Sequence, residues 1–211
     1  MRSAFGRFGI GLGILITLLI LVAGRAYAAD EVQAPAKAEA DIRAQIEKSP
    51  NDADLQFKLG NALYDQGRRT EAQQAYERAV ELKPDFVKAI VNLGIVLNEN
   101  GQTEEALKRF DKAESLEPTD INVLCNKGQA LYGLQRYSQA IDLYRKAMGI
   151  EPKHQLPHYL LGVAYADAGI YREAIRQWRD VVALDPETEA AKTAAEGIQV
   201  LQGLLPKGEE F

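Results

Sequence analysis

Few residues in this sequence could perform chemistry. His154 and His158 are the only histidines, and a spacing of four residues on one helix suits a pair of metal ligands. Pro157 lies between them, and because proline favours the start of a helix, His154 is expected in the preceding loop. His158 falls at a helical position whose counterparts earlier in the chain, Ile90 and Leu124, are apolar. We therefore predict a packing role for His158 and no metal site.

The sequence contains few other residues or motifs that would indicate catalysis or cofactor binding. Cys125 is the single cysteine, which excludes an internal disulfide, and we expect a small, half-buried side chain and no nucleophile. The chain lacks a phosphate-binding loop, a G-x-S-x-G nucleophile turn and a dinucleotide fingerprint. We predict no catalytic residue, no cofactor, no small-molecule substrate and no enzyme activity. A secreted enzyme, as an alternative, has no group of residues to support it.

The chain is organised by a repeat of about 34 residues, which is the period of a helix–turn–helix solenoid. The repeat is clearest at positions 87–120, where two amphipathic segments meet at Gly101 and Pro118 follows the second. Three residue types recur without insertion or deletion: Gly60, Gly94, Gly128 and Gly162; Ala72, Ala106, Ala140 and Ala174; Pro84, Pro118, Pro152 and Pro186.

Each repeat is predicted to form two helices that must pack against an adjacent repeat. At positions 87–120, Ile90, Leu93 and Leu97 share one side of the first helix with Gly94, and Gly101 suits the left-handed turn that ends it. The apolar side of the second helix contains Ala106, Leu107, Phe110, Ala113 and Leu116. The small residues let the two helices approach closely, with the aromatic ring beside them. Because neither helix buries its apolar side alone, adjacent repeats must stack.

These residues resemble tetratricopeptide repeats, in which Leu-Gly, Ala, an aromatic residue, Ala and Pro recur in this order. The matching residues are Leu59-Gly60, Ala72, Tyr76, Ala79 and Pro84; Leu93-Gly94, Ala106, Phe110, Ala113 and Pro118; Gly128, Ala140, Tyr144, Ala147 and Pro152; and Leu161-Gly162, Ala174, Trp178 and Pro186. The resemblance implies an all-α fold, a right-handed superhelix of four repeats that forms an α-solenoid. Lys127 and Gln135 depart from the pattern, and we expect a slightly loosened third repeat.

The repeat frame also sets the domain boundaries. The four repeats are residues 53–86, 87–120, 121–154 and 155–188. A linker at 29–40 leads into an N-terminal half-repeat that forms a capping helix at 41–52. A C-terminal capping helix with a polar outer face is expected at 189–203, followed by a tail at 204–211.

A signal peptide is predicted at positions 1–28. Arg2 and Arg7 precede an uncharged run from Phe8 to Gly24, and Ala26 and Ala28 provide an A-x-A cleavage site. The alternative is a retained N-terminal anchor, because the length of this apolar run is at the lower limit of a membrane span. Either alternative exports the repeats. We predict the periplasm, with the protein either free or anchored in the inner membrane.

The net charge of the chain after residue 28 indicates which classes of binding partner are unfavourable. The full sequence has 25 Lys+Arg and 30 Asp+Glu, and the segment before Ala29 contains three arginines and no acid. The rest therefore carries 22 basic and 30 acidic residues, a net charge of −8. This charge argues against nucleic acid and anionic membrane surfaces as partners. A membrane contact is expected only if the N-terminal helix is retained.

The resemblance implies that the first helix of each repeat lines a concave groove that binds a peptide. The inward positions are Phe57, Lys58, Asn61, Tyr64, Val91, Asn92, Ile95, Asn98, Cys125, Asn126, Gln129, Tyr132, Tyr159, Leu160 and Val163. The asparagines can each donate and accept hydrogen bonds to a peptide. Tyr159, Leu160 and Val163 make the fourth repeat apolar, and we expect a client to dock an apolar anchor there.

Two functional hypotheses follow. The first is a protein–protein interaction adaptor outside the cytoplasm that binds a peptide or amphipathic helix of a client protein. Bacterial proteins of similar layout imply a role in envelope-complex assembly or cytochrome c maturation. The second is a self-associating structural scaffold, tethered to the membrane by an uncleaved N-terminal helix.

Export predicts a defined N-terminus. If the A-x-A site is used, the protein isolated from its native host begins at Ala29-Asp30-Glu31. Ala28→Trp should block cleavage, because the site requires small residues, and leave a longer, membrane-held form. N-terminal sequencing of the two proteins measures this. A wild-type protein that begins at Met1 or Arg2 would establish the anchor instead.

Overall fold

A computed structural model of the protein describes residues 34–205. These residues contain ten helices and no strand. In chain order the helices are α1 (Ala34–Lys48), α2 (Ala53–Asp65), α3 (Arg69–Leu82), α4 (Val87–Glu99), α5 (Thr103–Leu116), α6 (Ile121–Gly133), α7 (Tyr137–Ile150), α8 (Gln155–Asp167), α9 (Tyr171–Leu184) and α10 (Glu189–Leu204). The predicted fold class, an all-α helical-repeat solenoid, is confirmed.

The described residues form two compact units, 34–143 and 144–205, and the boundary lies within α7. In the first unit, each helix from α1 to α5 packs on the one that follows it in the chain. In the second unit, α8 packs on α9, and α10 contacts both. Within each unit, these helices that follow one another in the chain also pack on one another, as stacked helical repeats require.

The two helices of a repeat meet through a glycine and an aromatic ring. A Cβ atom on Gly60 would lie 2.5 Å from the Tyr76 ring, and one on Gly94 would lie 2.6 Å from the Phe110 ring. Contacts this close do not occur for real Cβ atoms, so only glycine admits the ring at these positions. The rings are almost completely buried, and this confirms the close approach of helices predicted from the repeat.

The helix α1 begins earlier than the sequence indicated. It runs from Ala34 to Lys48, so most of the expected linker at 29–40 is helical, and the capping helix does not extend to residue 52. Glu39, near its middle, accepts hydrogen bonds from Arg43 at 2.8 Å, Arg68 at 2.6 Å and Gln66 at 3.1 Å. The bonds from Arg68 and Gln66 attach α1 to the turn between α2 and α3. The hydrogen bond from Arg43 is the main cause of a lowered pKa of Glu39.

The ends of the chain lie outside this description. The predicted signal peptide, its cleavage site and most of the C-terminal tail belong to residues 1–33 and 206–211. Among the helices of residues 34–205, none combines the length and the apolar character needed to cross a bilayer.

Lys127, the first departure in the third repeat, joins that repeat to the second. Its Nζ lies 2.6 Å from an Asp111 oxygen and 2.8 Å from a Glu114 oxygen, both on α5. Burial lowers the pKa of Lys127, but the hydrogen bonds to the two carboxylates outweigh it and the pKa is raised. An ion-paired amine thus replaces the apolar contact, which corrects the expectation that the repeat is simply loosened here.

Gln135, the second departure, takes the backbone conformation of the glycines it replaces. Its φ is 61°, and the corresponding Gly67, Gly101 and Gly169 have φ of 74°, 80° and 74°. The same hydrogen bonds end the preceding helix in both cases: Gln135 N to Tyr132 O at 2.9 Å, and Gly101 N to Asn98 O at 3.0 Å. A residue with a Cβ atom is strained in this region.

The backbone strain at Gln135 predicts how substitutions at Gln135 and Gly101 change the stability of the protein. Gln135→Gly should raise the free energy of unfolding by ~0.5–1 kcal/mol, because relief of left-handed strain exceeds the added entropy of glycine in the unfolded chain. Gly101→Gln is the matched reverse exchange and should lower it by ~1 kcal/mol. Urea unfolding of both variants measures the differences. A destabilised Gln135→Gly variant would contradict this account of the turn.

Candidate functional site: the groove formed by α2, α4 and α6

The first unit contains a pocket where the predicted groove was expected. It has a volume of about 400 Å³ and lies between α2, α4 and α6. Five of the predicted groove residues line it: Phe57, Val91, Asn92, Ile95 and Asn126. We call this pocket, with its lining residues, the α4 pocket. Its size is within the range of ligand-binding clefts.

Sequence reasoning missed half of the lining residues. These are Val87, Lys88, Glu117, Asp120 and Asn122. The repeat frame marked inward positions only in the middle of each first helix. The missed residues lie at the starts of α4 and α6 and in the turn before α6. The acidic side chains at the end of each repeat were a signal that could have indicated them.

The floor of the α4 pocket is apolar and held by aromatic contacts. The Phe57 ring lies 5.9 Å from the Tyr76 ring and 5.0 Å from the Phe86 ring, measured between centroids. The Lys83 amine lies over the Phe86 ring, 4.8 Å from its centroid. Val91 is 9% exposed, and Phe57 and Ile95 are half-buried. Because the rings contact one another, interactions within the protein hold this floor in place.

Polar side chains link the first two repeats beside this floor. The Tyr76 hydroxyl donates to Asn61 Oδ1 at 2.8 Å, and Asn92 Nδ2 donates to the same oxygen at 2.9 Å. Burial raises the pKa of Tyr76 to about 12, so its hydroxyl remains protonated and able to donate. Asn61 and Asn92 are therefore partly occupied by each other and by Tyr76.

Tyr64 makes a second link between these repeats. Its hydroxyl donates to Glu99 Oε1 at 2.7 Å, and Arg69 donates through Nε to Glu99 Oε2 at 2.7 Å. Burial, together with the Glu99 carboxylate, raises the pKa of Tyr64. Tyr64 thus stabilises the stacking of repeats in addition to any contact with a ligand.

The other predicted residues of the first unit differ in accessibility. Lys58 and Gln129 are exposed, and Asn98 is half-buried. Tyr132 is half-buried and packs edge-on against Tyr137, with ring centroids 5.2 Å apart. Asn126 Nδ2 donates to the backbone oxygen of Asn122 at 2.8 Å.

Cys125 is a correction to the predicted groove. It is 0% exposed and therefore contributes no accessible surface to the groove. Its neighbours Val123 and Leu124 are also fully buried, so Cys125 belongs to the apolar core of the first unit. Burial raises the pKa of the Cys125 thiol to about 12, so the thiol is neutral and does not act as a nucleophile at neutral pH.

The fourth repeat, in the second unit, is also corrected. Tyr159 and Leu160 are half-buried, but Val163 is only 5% exposed. Trp178 explains the tight packing: its indole lies against Gly162 of α8 and Gly197 of α10, and its Nε1 donates to the Tyr159 backbone oxygen at 3.2 Å. The proposed apolar anchor of three side chains facing solvent is therefore wrong for Val163.

The histidines have structural partners. His158 is 7% exposed, and its Nε2 lies 2.9 Å from the Pro152 oxygen and its Nδ1 3.0 Å from Gln177 Oε1. His154 caps α8, its Nδ1 accepting from the Leu156 backbone N–H at 3.3 Å. This confirms the packing role of His158. In residues 34–205 no group of three or more His, Cys, Asp or Glu residues is arranged to hold a metal ion.

Comparison with known proteins agrees with this fold. Residues 23–85 and 57–121 match a family model described as tetratricopeptide repeat. Residues 99–180 match the model of anaphase-promoting complex, cyclosome, subunit 3. The chain therefore contains tetratricopeptide repeats. Proteins with this fold are typically non-enzymatic scaffolds, and the fold suggests a protein–protein interaction adaptor.

Solved structures show the same architecture. A segment of MamA from Desulfovibrio magneticus RS-1 is 20% identical, with a TM-score of 0.66 over 82% of this chain and 97% of that chain. A thermophilic TPR protein from Thermus thermophilus is 17% identical, with a TM-score of 0.68 over 90% and 97%. YrrB, described as a TPR protein with an unusual peptide-binding site, is 21% identical, with a TM-score of 0.58 over 79% and 93%. At these identities the similarity concerns the fold. No curated protein matches the chain.

The burial of Val163 predicts a large cost for a charge there. Val163→Asp should lower the free energy of unfolding by about 3 kcal/mol or more, because a carboxylate replaces a buried side chain. Val200→Asp is the matched control, since Val200 is 51% exposed on α10. Its effect should stay below ~1 kcal/mol. Denaturant unfolding compares them, and equal effects would show that Val163 is accessible after all.

Proposed function

We propose that the protein is a non-enzymatic adaptor that binds a peptide or an amphipathic helix of a client protein in the α4 pocket. The observation that carries the proposal is the combination of an apolar floor with polar side chains along its edge. An extended or helical peptide needs both, because it buries side chains and must also satisfy polar groups near them.

The pocket also lies in the part of the repeat where polar groups are held in place. Asn61, Tyr76 and Asn92 form a connected network, so their orientations are fixed without a ligand. A preformed site loses less conformational entropy on binding than a flexible one. The description of YrrB as having a peptide-binding site supports the same use of this fold here.

The site proposed for the client thus moves from the fourth repeat to the first three. Tyr159 and Leu160 are half-buried, and with Val163 buried they are the two residues of the expected anchor that retain accessible surface. Phe57, Val91 and Ile95 come from two successive repeats and can contact several residues of one peptide.

We also propose that the adaptor acts outside the cytoplasm. The uncharged run that ends at Gly24, the small residues Ala26 and Ala28, and the net charge of −8 that follows support export. The adaptor would then act in the periplasm, either free or held at the inner membrane. Envelope-complex assembly and cytochrome c maturation are the roles that the layout of the chain favours.

Site-specific photo-crosslinking in the native host tests the groove. The photoreactive residue p-benzoylphenylalanine replaces Ile95, which is half-buried and lines the pocket. Ultraviolet irradiation should then produce one or a few discrete adducts, because a bound client lies within reach of this position.

The control places the same residue at Lys108, which is exposed on α5 and does not line the pocket. Lys108 should give none of the adducts obtained at Ile95. If Lys108 crosslinks the same protein and Ile95 does not, the client binds another face of the repeats and the proposed site is wrong.

A further inference from the structure

The amide network determines which hydrogen-bonding groups the α4 pocket presents. Asn92 Nδ2 donates to Asn61 Oδ1 at 2.9 Å and to the Tyr76 hydroxyl at 3.3 Å. An asparagine amide has two N–H donors and one carbonyl oxygen, so both donors of Asn92 are used. Its Oδ1 accepts no hydrogen bond from any residue between 34 and 205, and Asn92 lines the pocket. At this point the wall offers only an acceptor.

Two carboxylates add to the acceptors. Glu117 lies in the turn before α6, is exposed, and forms no ion pair with the described residues. Asp120 uses Oδ1 to cap α6, accepting from the Asn122 N–H at 2.7 Å and the Val123 N–H at 3.1 Å. Its second oxygen takes no part in the cap. The side chains of Glu117 and Asp120 therefore give this edge of the pocket a negative charge.

Lys88 is the one basic side chain among the lining residues, and it is exposed at the start of α4. No carboxylate of the described residues lies within ion-pair distance of its amine. The charged groups of the pocket are thus two carboxylates and one ammonium group. Together with the Asn92 oxygen, the two carboxylates give three groups that attract a cation, and the Lys88 ammonium is the charged group of the lining that repels it.

We propose that the α4 pocket selects a protein segment in which a lysine or arginine lies close to an apolar residue. This inference rests on the proposed function and specifies the partner of the same site. The apolar side chain packs on Phe57, Val91 and Ile95. The cationic side chain donates to Asn92 Oδ1 and pairs with Glu117 and Asp120.

The chemistry of these two residue types explains why they bind together. Lysine and arginine have long aliphatic stems that lie along apolar surface while the charged end reaches a polar partner. Their N–H groups are donors only, so they match the acceptor oxygens of Asn92, Glu117 and Asp120, and Lys88 is the basic side chain of the lining that opposes them. Hydrogen bonds between ionised partners are also stronger than neutral ones.

A random dodecapeptide library displayed on phage, selected against the full chain, provides the probe. We expect enrichment of peptides that contain Lys or Arg within a few residues of an aliphatic or aromatic residue. One selected peptide is then synthesised, and its Kd is measured by fluorescence anisotropy for wild type and variants in low salt.

Reversal of charge at the pocket tests the sign of the interaction. Glu117→Lys should weaken binding of the selected peptide about fivefold or more, an effect that shrinks in ~1 M salt as screening increases. Lys88→Glu should leave the Kd unchanged or lower it. Glu104→Lys, an equal change of charge at an exposed position on α5 away from the pocket, should have no effect.

The outcomes separate this inference from the proposed function. Ile95→Asp, with its melting temperature checked, should abolish binding of the peptide if the peptide occupies the pocket. If Ile95→Asp abolishes binding but the enriched peptides are acidic and Lys88→Glu weakens them, the pocket binds peptides and the cationic specificity is wrong. If no peptide is enriched, or binding is insensitive to Ile95→Asp, both the specificity and the proposed site are wrong.

Discussion

The contact between a glycine of one helix and an aromatic ring of the next is the constraint on which this structure depends. Gly60 and Gly94 bring α2 and α4 so close to their partner helices that the rings of Tyr76 and Phe110 lie against the backbone. The same contact serves the site, because the Tyr76 hydroxyl reaches past Gly60 to Asn61. Phe110 has no hydroxyl and can pack in the same way without making such a bond. The choice of ring thus links the packing of a repeat to the polarity of its groove.

Much of the fold could be predicted because its rules are local and repeated. A constant period, with glycine, alanine and proline at fixed positions, defines four helix pairs, and the pairs begin at the first residues of the four repeats, Ala53, Val87, Ile121 and Gln155. The first helix was predicted less well. Its residue Glu39 accepts hydrogen bonds from Arg68 and Gln66, which are distant in sequence and have no counterpart in the repeat.

The sequence predicted which side of each first helix faces the groove, but it did not predict how deeply each side chain is buried. The repeat frame identified the side of each first helix that faces the groove, and Phe57, Asn92 and Ile95 do line the α4 pocket. The exposure of a side chain also depends on the size of neighbours from other helices. Cys125 is buried although it occupies a groove position, and Val163 is buried in the repeat that contains Trp178. Glu117 was missed because the groove positions of the family lie on helices, whereas Glu117 lies in a turn.

The environment of Trp178 has an optical consequence. It is the only tryptophan in the chain, and its indole is held between Gly162 and Gly197, with 3% of its surface exposed. Solvent reaches this ring only when α8, α9 or α10 separates from the others. Intrinsic fluorescence excited at the red edge of protein absorption should therefore report the opening of the second unit alone. The first unit, with tyrosine and phenylalanine as its aromatic residues, should remain invisible to that signal. Fluorescence and circular dichroism together can then show whether the two units unfold in one step or in sequence.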